Sequence, residues 1–244
     1  MSLEIKVATY NIRKCVGLDR KRNPERTVRV LHEIDADIIA LQEVDRRFGA
    51  RDSCIPVKMI DDETPWKHVP FNDRPKGIGW HGNAILVRDE FEIIDGHPLD
   101  LPTLEPRGAV VTNVLTPGGP VRIIGAHLDI SGLWRRKQIR ALLGFLDDQN
   151  DHIPTIVMGD FNQWSNRGAL SEFAFHHHRI LKTPKSFHTT KPVAQLDRII
   201  VSHDVQALAI GCHESELAKK ASDHLPVWAD VEIHQNLRHR NSAD

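Results

Sequence analysis

Residues 155–164 read T-I-V-M-G-D-F-N-Q-W, a short apolar run that stops at Gly159 and hands over to Asp160, Phe161 and Asn162. A buried strand ends this way when its C-terminal tip presents polar groups. Gly159 lets the backbone turn sharply or lets another segment approach closely. Asp160 and Asn162, two apart, can share one side of the chain while Phe161 turns into the core as an anchor. A carboxylate beside a carboxamide suits a hydrated divalent cation or an attacking water. A strand followed by an Asx-turn is the plain alternative, and this stretch alone leaves both open.

Outward from there the same pattern recurs. Glu4–Tyr10 reads as a strand that ends at Asn11, with Arg13 and Lys14 just beyond. Pro24 opens a helix, since its fixed φ suits the first helical position, and Val28, Leu31 and Ile34 mark that helix's apolar face. Asp37–Leu41 is a second buried strand running into Gln42 and Glu43. Residues 46–78 are rich in Asp, Pro, Arg and Lys and read as long loops with a short strand near Trp66–Val69. Another strand begins at Gly82, with Asn83 at its boundary, and Phe91–Leu99 should be a strand leading toward Arg107. Gly108–Leu115 and Val121–Ala126 form a hairpin that ends in His127, Leu128 and Asp129. Gly132–Asp148 is the clearest helix, with Leu133, Ile139, Leu142, Leu143 and Leu146 assigned to one side. Ser171–His178 reads as a helix end and loop; its three adjacent histidines cannot readily converge on one ion, so a solvated loop is the reading there. Leu196–Val201 is a strand carrying Asp197, an acid whose place in an apolar run is costly unless it is paired. The last strand, Val227–Ile233, follows Ser222, Asp223 and His224. Residues 1–235 read as a single domain and 236–244 as a polar tail.

Composition narrows the function classes. The 244 residues are 40% hydrophobic and 27% charged with a net charge of −1, as in an ordinary soluble globular protein. A protein that relies on sequence-independent contacts to nucleic-acid backbone usually carries a basic excess. Here only a local strip, Arg135, Arg136, Lys137 and Arg140, could serve. Cys15, Cys54 and Cys212 lack metal-type spacing and read as free thiols in a reducing compartment. The opening M-S-L-E-I-K-V is not a signal peptide, and no apolar run approaches the ~18 residues of a membrane span. A cytoplasmic monomer without stable membrane insertion is the expectation.

Lined up, the strand ends carry Asn11, Glu43, Asn83, His127, Asp160 with Asn162, Asp197, and Asp223 with His224. The surrounding segments are T-Y-N-I at 9–12, L-Q-E-V at 41–44, G-N-A-I-L at 82–86 and A-H-L-D at 126–129, then G-D-F-N at 159–162, L-D-R-I at 196–199 and S-D-H-L-P-V at 222–227. In these segments and their order the chain resembles the endonuclease/exonuclease/phosphatase superfamily, of the DNase-I-like fold. The resemblance implies an α/β protein, a four-layer α/β/β/α sandwich of two mixed β-sheets, with the active site where the strand tips meet.

It also implies roles. Glu43 would be the main metal-ligating carboxylate, with Asn11 and Asp223 nearby, and such oxygen ligands suit Mg²⁺ or Mn²⁺. Asp160 and Asn162 would orient the attacking water and the phosphate. Asp197 would pair with His224 and raise its pKa, so that His224 either activates water or stabilises the phosphoryl oxyanion. His127 is a second candidate for protonating the leaving oxygen or neutralising charge. Asn83 and Arg107 are candidates for substrate binding, a structural salt bridge being the alternative for Arg107. The histidine at 127, where apurinic endonucleases typically have tyrosine, looks more like the deoxyribonuclease, sphingomyelinase and inositol phosphatase side. The residues after Gly159-Asp160 and before Asp197 depart from the inositol phosphatase pattern, and the compact length and Y-N-I-R-K-C-V-G opening look most like small bacterial members.

The function expected is therefore divalent-metal-dependent hydrolysis of a phosphodiester, in nucleic acid or in a lipid or small molecule. A phosphomonoesterase of inositol-phosphate type is the alternative, and a non-catalytic binding module on the same fold is the reading from outside enzymology. Trp66, Trp80, Trp134 and Trp164, in loop-like segments, favour a lipid or small-molecule partner unless they belong to the core.

Overall fold

The computed structural model describes residues 2–46, 49, 51–71, 76–105, 107–149, 151–165 and 168–234, so the expected tail at 236–244 lies outside the described residues. In chain order the elements are β1 (Ser2–Asn11), α1 (Pro24–Ile34), β2 (Ile38–Gln42), α2 (Val57–Glu63), β3 (Trp66–His68), β4 (Ala84–Arg88), β5 (Glu92–Leu99), β6 (Gly108–Thr116), β7 (Gly119–His127) and α3 (Gly132–Asp147). They continue with β8 (Thr155–Asp160), α4 (Glu172–Phe175), β9 (His178–Ile180), β10 (Asp197–Ser202), β11 (Val205–Cys212), α5 (Ala218–Ala221) and β12 (Val227–His234). The strands form two six-stranded mixed sheets, ordered β11-β12-β1-β2-β4-β3 and β5-β6-β7-β8-β10-β9.

Three apolar clusters produce the four layers. Between the sheets lie Ile5, Val7, Ile38, Ile85, Val110, Ile123, Ile156, Met158, Ile199 and Val231, drawn from both sheets. Outside the first sheet, Tyr10, Ile39 and Leu41 pack against Val28, Leu31 and Ile34 of α1. Outside the second, Ile124, Val157 and Phe161 pack against Ile139, Leu142 and Leu143 of α3. Helix α1 starts as its sequence dictates: Asn23 Oδ1 accepts from Arg26 N at 2.7 Å, and Pro24 takes the first helical position. No described helix is long and apolar enough to cross a membrane.

Strand periodicity carries the polar tips to one place. Alternate residues of a strand share a face. On β8 the phase that puts Ile156 and Met158 between the sheets carries Asp160 there too, while Phe161 anchors on the helix side. Asn11 follows Ile5 and Val7 in phase, His127 follows Val121 and Ile123, and Asp197 precedes Ile199 and Val201. Register then aligns three of them, with His127 opposite Asp160 on β7–β8 and Asp197 opposite Asp160 on β10–β8.

The sequence reading differs from the structure in several places, the short strand β9 among them. Leu133 is 65% exposed, because a 3.6-residue repeat sets it about 180° around α3 from Leu142. Strand β11 has no clean alternation, is an edge strand and carries a bulge between Ala207 and Ala209, so its pattern gave no warning. Helix α2 buries only Ile60, too little apolar periodicity to stand out within 46–78.

Gly159 is where two backbones meet. Its φ is +154°, and a Cβ there would stand 1.8 Å from the Ala126 carbonyl oxygen. Gly159→Ala should therefore destabilise the fold by about 3 kcal/mol or more and lower Tm by about 6–12 °C. A thermal melt checks this, and a Tm within about 2 °C of wild type would contradict the close approach.

Candidate active site

Asp160 is the centre of the buried polar cluster, with only 2% of its surface exposed. Its Oδ1 accepts from Asn162 N at 2.9 Å, an Asx-turn. Its Oδ2 accepts from Asn11 Nδ2 at 3.0 Å, a hydrogen bond that joins the two sheets. His127 Nε2 and His224 Nε2 lie 3.5 Å and 3.8 Å from that same oxygen. The opening stretch thus makes its Asx-turn with one carboxylate oxygen, while the other faces the cluster.

The two histidines are electrostatically opposite. Burial disfavours a charged His224 ring, but the Asp197 and Asp160 carboxylates outweigh it and push the pKa up to about 10. His224 Nδ1 donates to Asp197 Oδ2 at 2.9 Å, and the Ser186 hydroxyl donates to the same oxygen. Phe187 covers the His224 ring at 4.9 Å between centroids. His127 goes the other way: burial lowers it to about 3, the attraction of Asp160 being too weak to compensate beside Arg107 and His224. Arg107 donates from Nη1 to His127 Nε2, which leaves the neutral ring's proton on Nδ1. A neutral His127 does not itself supply positive charge, and the charged ring of the site is His224.

The remaining residues border this centre from the first sheet. Glu43, with φ +59°, receives the Lys14 ammonium on Oε2. Asp223 Oδ2 lies 3.4 Å from Arg13 Nε. Both cations come from the turn Arg13–Cys15, whose three residues have φ between +46° and +59°. A cleft of ≈ 250 Å³ is lined by Glu43, Arg107, His127, Lys14, Gly82 and their neighbours. A larger one, ≈ 600 Å³, lies at the opposite end of β8 beside Thr155, away from this chemistry. Asn83 is fully buried and its Nδ2 donates to Gly108 O at 3.1 Å, tying the start of β4 to the start of β6, while its Oδ1 has no hydrogen-bond partner among the described residues. Asn162 directs its side-chain amide to Leu128 O at 2.9 Å.

A model of the Endonuclease/Exonuclease/phosphatase family matches residues 8–224. The chain belongs to that family. YbhP, an uncharacterized protein of Escherichia coli (strain K12), is 26% identical over 249 aligned residues, which cover 93% of this chain and 96% of YbhP. Among solved structures, an endonuclease/exonuclease/phosphatase from Bacteroides vulgatus superposes with a TM-score of 0.74 at 16% identity, covering 95% of this chain and all of that one (100%). Another, from Beutenbergia cavernae DSM 12333, gives 0.71 at 20% identity, covering 95% of this chain and 72% of its own. At those identities the structures show the shared sandwich fold.

Members of the endonuclease/exonuclease/phosphatase family are phosphoester hydrolases, generally dependent on a divalent metal. Among the described residues, Asp160, Asp197 and His224 form a buried group whose ligand atoms lie within 4.8 Å of one another and could hold a metal ion. Several contributors were not singled out in the sequence. Ser186 sits in an unpatterned loop and left no signal, whereas Asp129 and Ser222 stand inside quoted motifs. Ser222 Oγ donates to Asn11 O at 2.7 Å, and Asp129 keeps one buried carboxylate oxygen without a hydrogen-bond partner among the described residues. The basic strip on α3 is largely committed: Arg135 reaches Gln163, Arg140 pairs with Glu172, and Lys137 lies over Trp134. Trp66 is a core residue, and Trp164 is 66% exposed.

The raised pKa of His224 has a defined pH signature. A group whose folded pKa exceeds its unfolded value of ~6.5 stabilises fully below that value and loses the contribution as pH rises through about 10. In chelator-treated protein, nitrogen-detected NMR should find the His224 ring still protonated at pH 8. Asp197→Asn should move its titration down by at least about 2 units, burial then being opposed by one carboxylate fewer. A ring already neutral at pH 7 in the wild type would contradict the assignment.

Proposed function

We propose that this chain hydrolyses phosphodiesters with the aid of Mg²⁺ or Mn²⁺, its substrate being nucleic acid or a lipid or small-molecule diester. The observation that carries the reading is Asp160, an acceptor buried against a charged His224 and a neutral His127. Such a pairing of an acceptor with a fixed cation suits a phosphoryl centre that gains negative charge as water attacks.

The donor chemistry fits a hard cation. Asn11, Glu43 and Asp223 offer oxygen ligands, and the two carboxylates already draw the Lys14 and Arg13 cations to themselves. His224 suits ligation less well, since a ring held as imidazolium has no free nitrogen lone pair. We therefore assign the ion to Asn11, Glu43 and Asp223, with Asp160, Asp197 and His224 beside it. When bound, the ion supplies charge stabilisation to the phosphoryl oxygens.

The protein's own residues do the rest. Asp160 and Asn162 orient the attacking water, and Asp160 Oδ2 is the acceptor for its proton. His224 stays protonated at neutral pH, so it donates to a phosphoryl oxygen instead of acting as the base. Asp197 is a positioning residue that holds this ring and its charge. Arg107, joined to His127 and lying 3.2 Å from Glu105 Oε2, adds positive charge at the cleft.

Purified protein with Mg²⁺ or Mn²⁺ should hydrolyse bis(4-nitrophenyl) phosphate faster than 4-nitrophenyl phosphate. Asp160→Ala and His224→Ala should each lower kcat by about 10²–10⁴. Metal-independent turnover, or wild-type rates in either variant, would overturn the mechanism, and a monoester preference would overturn the diester assignment. Activity on oligonucleotide that falls steeply with added salt identifies a nucleic-acid substrate.

The metal assignment has a separate readout. Saturating Mg²⁺ or Mn²⁺ at about 100 Kd should stabilise the wild type by roughly 2.7 kcal/mol, seen as a rise in Tm. Glu43→Gln should lose most of that rise. An equal rise in the variant would remove Glu43 from the ligand set.

A further inference from the structure

We propose that Arg46 and Arg51 form a second phosphate-binding subsite in the cleft, so that the substrate carries a further phosphate group close to the bond that is cut. The inference rests on the hydrolase reading and narrows its substrate class. Both arginines line the ≈ 250 Å³ cleft together with Glu43 and His127. The other charges there are committed. Lys14 pairs with Glu43, Arg107 with Glu105 and His127, and Asp45 Oδ2 accepts from Gly82 N at 2.9 Å. Among the described residues neither Arg46 nor Arg51 has an acidic partner within ion-pair distance, and the cleft lining carries four cations, Lys14, Arg46, Arg51 and Arg107, against three carboxylates, Glu43, Asp45 and Glu105.

Their backbone is held in place. The loop after β2 is closed by an antiparallel bridge between Asp45 and Ser53 and by Arg46 N donating to Asp52 O at 2.9 Å. Cys54 N donates to Val44 O at 2.7 Å at its base. Arg51 is half-buried and sits at φ +52°, a left-handed conformation that non-glycine residues seldom adopt. A guanidinium matches a phosphate with two parallel hydrogen bonds. One singly charged diester already meets His224 and the assigned ion, which leaves the Arg46 and Arg51 guanidiniums to meet another anion. A terminal or neighbouring phosphate uses them, whether it comes from a 5′-phosphorylated nucleotide chain or from a phosphorylated small-molecule diester.

Two measurements decide it. Calorimetry on the full chain in chelator, with inorganic pyrophosphate as probe, should show binding that weakens roughly 10–100-fold in the Arg46→Ala/Arg51→Ala double variant. Undiminished affinity overturns the subsite. In the kinetic arm, thymidine dinucleotide with and without a 5′-phosphate, and glycerophosphoinositol with and without a ring phosphate, are compared as pairs with metal present. The ratio of kcat/KM for the phosphorylated over the plain member should exceed one in whichever pair is the natural class and fall roughly 10–100-fold in the double variant. A ratio that the double variant leaves unaltered overturns the proposal. If the wild type cleaves neither these nor bis(4-nitrophenyl) phosphate, the hydrolase reading fails while calorimetry still decides the subsite.

A different observation carries a second inference: we propose that Cys15 and Cys54, free thiols in the structure, oxidise to a disulfide that ties the loop behind Asn11 to the loop behind Glu43. Their sulfurs stand 3.0 Å apart in the apolar core outside the first sheet, about 1 Å beyond a covalent S–S bond. Cys15 stands four positions after Asn11, and Cys54, eleven positions after Glu43, is tied back beside it by its N–H donating to Val44 O at 2.7 Å. Both are buried, so a small oxidant such as hydrogen peroxide is the co-reactant. One sulfur attacks a peroxide oxygen, giving a sulfenic acid and one water; the other thiol displaces its hydroxyl as a second water. Two thiol protons and two electrons pass to the peroxide. Peroxide-treated protein, alkylated in denaturant without reductant and digested, should give a Cys15–Cys54 linked peptide and return three alkylated cysteines after reduction. Alkylation of both Cys15 and Cys54 without reductant, or a link from either to Cys212, overturns it.

Discussion

A single hydrogen bond across the sandwich, from Asn11 on one sheet to Asp160 on the other at 3.0 Å, is the constraint on which the site depends. A carboxylate buried to 2% exposure is tolerable only when its oxygens are satisfied. Asn162 N supplies one partner and Asn11 the other, so the fold cannot bury Asp160 without bringing the two strand tips together. Charge-assisted hydrogen bonds of this kind are each worth about 1.5–3 kcal/mol. The geometry of the candidate site and the stability of the fold are therefore the same interaction seen twice.

The charge pattern around that bond follows from which neighbours each histidine has. His224 lies between Asp197 and Asp160, and two carboxylates overcome its burial. His127 faces Asp160 with Arg107 against its ring, and burial wins. Two rings in the same cluster thus differ in charge near neutral pH, one cationic and one neutral, because their neighbours differ. A similar contrast appears among the nearby cations, where Lys14 and Arg13 pair with Glu43 and Asp223 while Arg46 and Arg51 have no acidic partner among the described residues.

Much of this was legible in the sequence because period-two alternation and strand ends are local properties. Ile156, Met158 and Asp160 announce their shared face in six residues, and Gly159 announces a close approach that proved to be the Ala126 backbone. What was illegible depends on three-dimensional pairing. Nothing near Ser186 says that its hydroxyl reaches Asp197, and nothing near Asn83 says that its Nδ2 donates to Gly108. The β11 edge strand lacks alternation because only one neighbour, β12, constrains it. Leu133 is apolar, but its helical phase opposite Leu142 turns it to the surface.

The central claim is that tips from both sheets act as one unit through Asp160. A double-mutant cycle on kcat/KM for bis(4-nitrophenyl) phosphate, using Asn11→Ala from the first sheet and Asp197→Ala from the second, tests it directly. The account predicts strong non-additivity, with the double variant little worse than the poorer single variant and a coupling energy above about 1 kcal/mol. Losses that add to within about 0.3–0.5 kcal/mol would show two independent sites and contradict it.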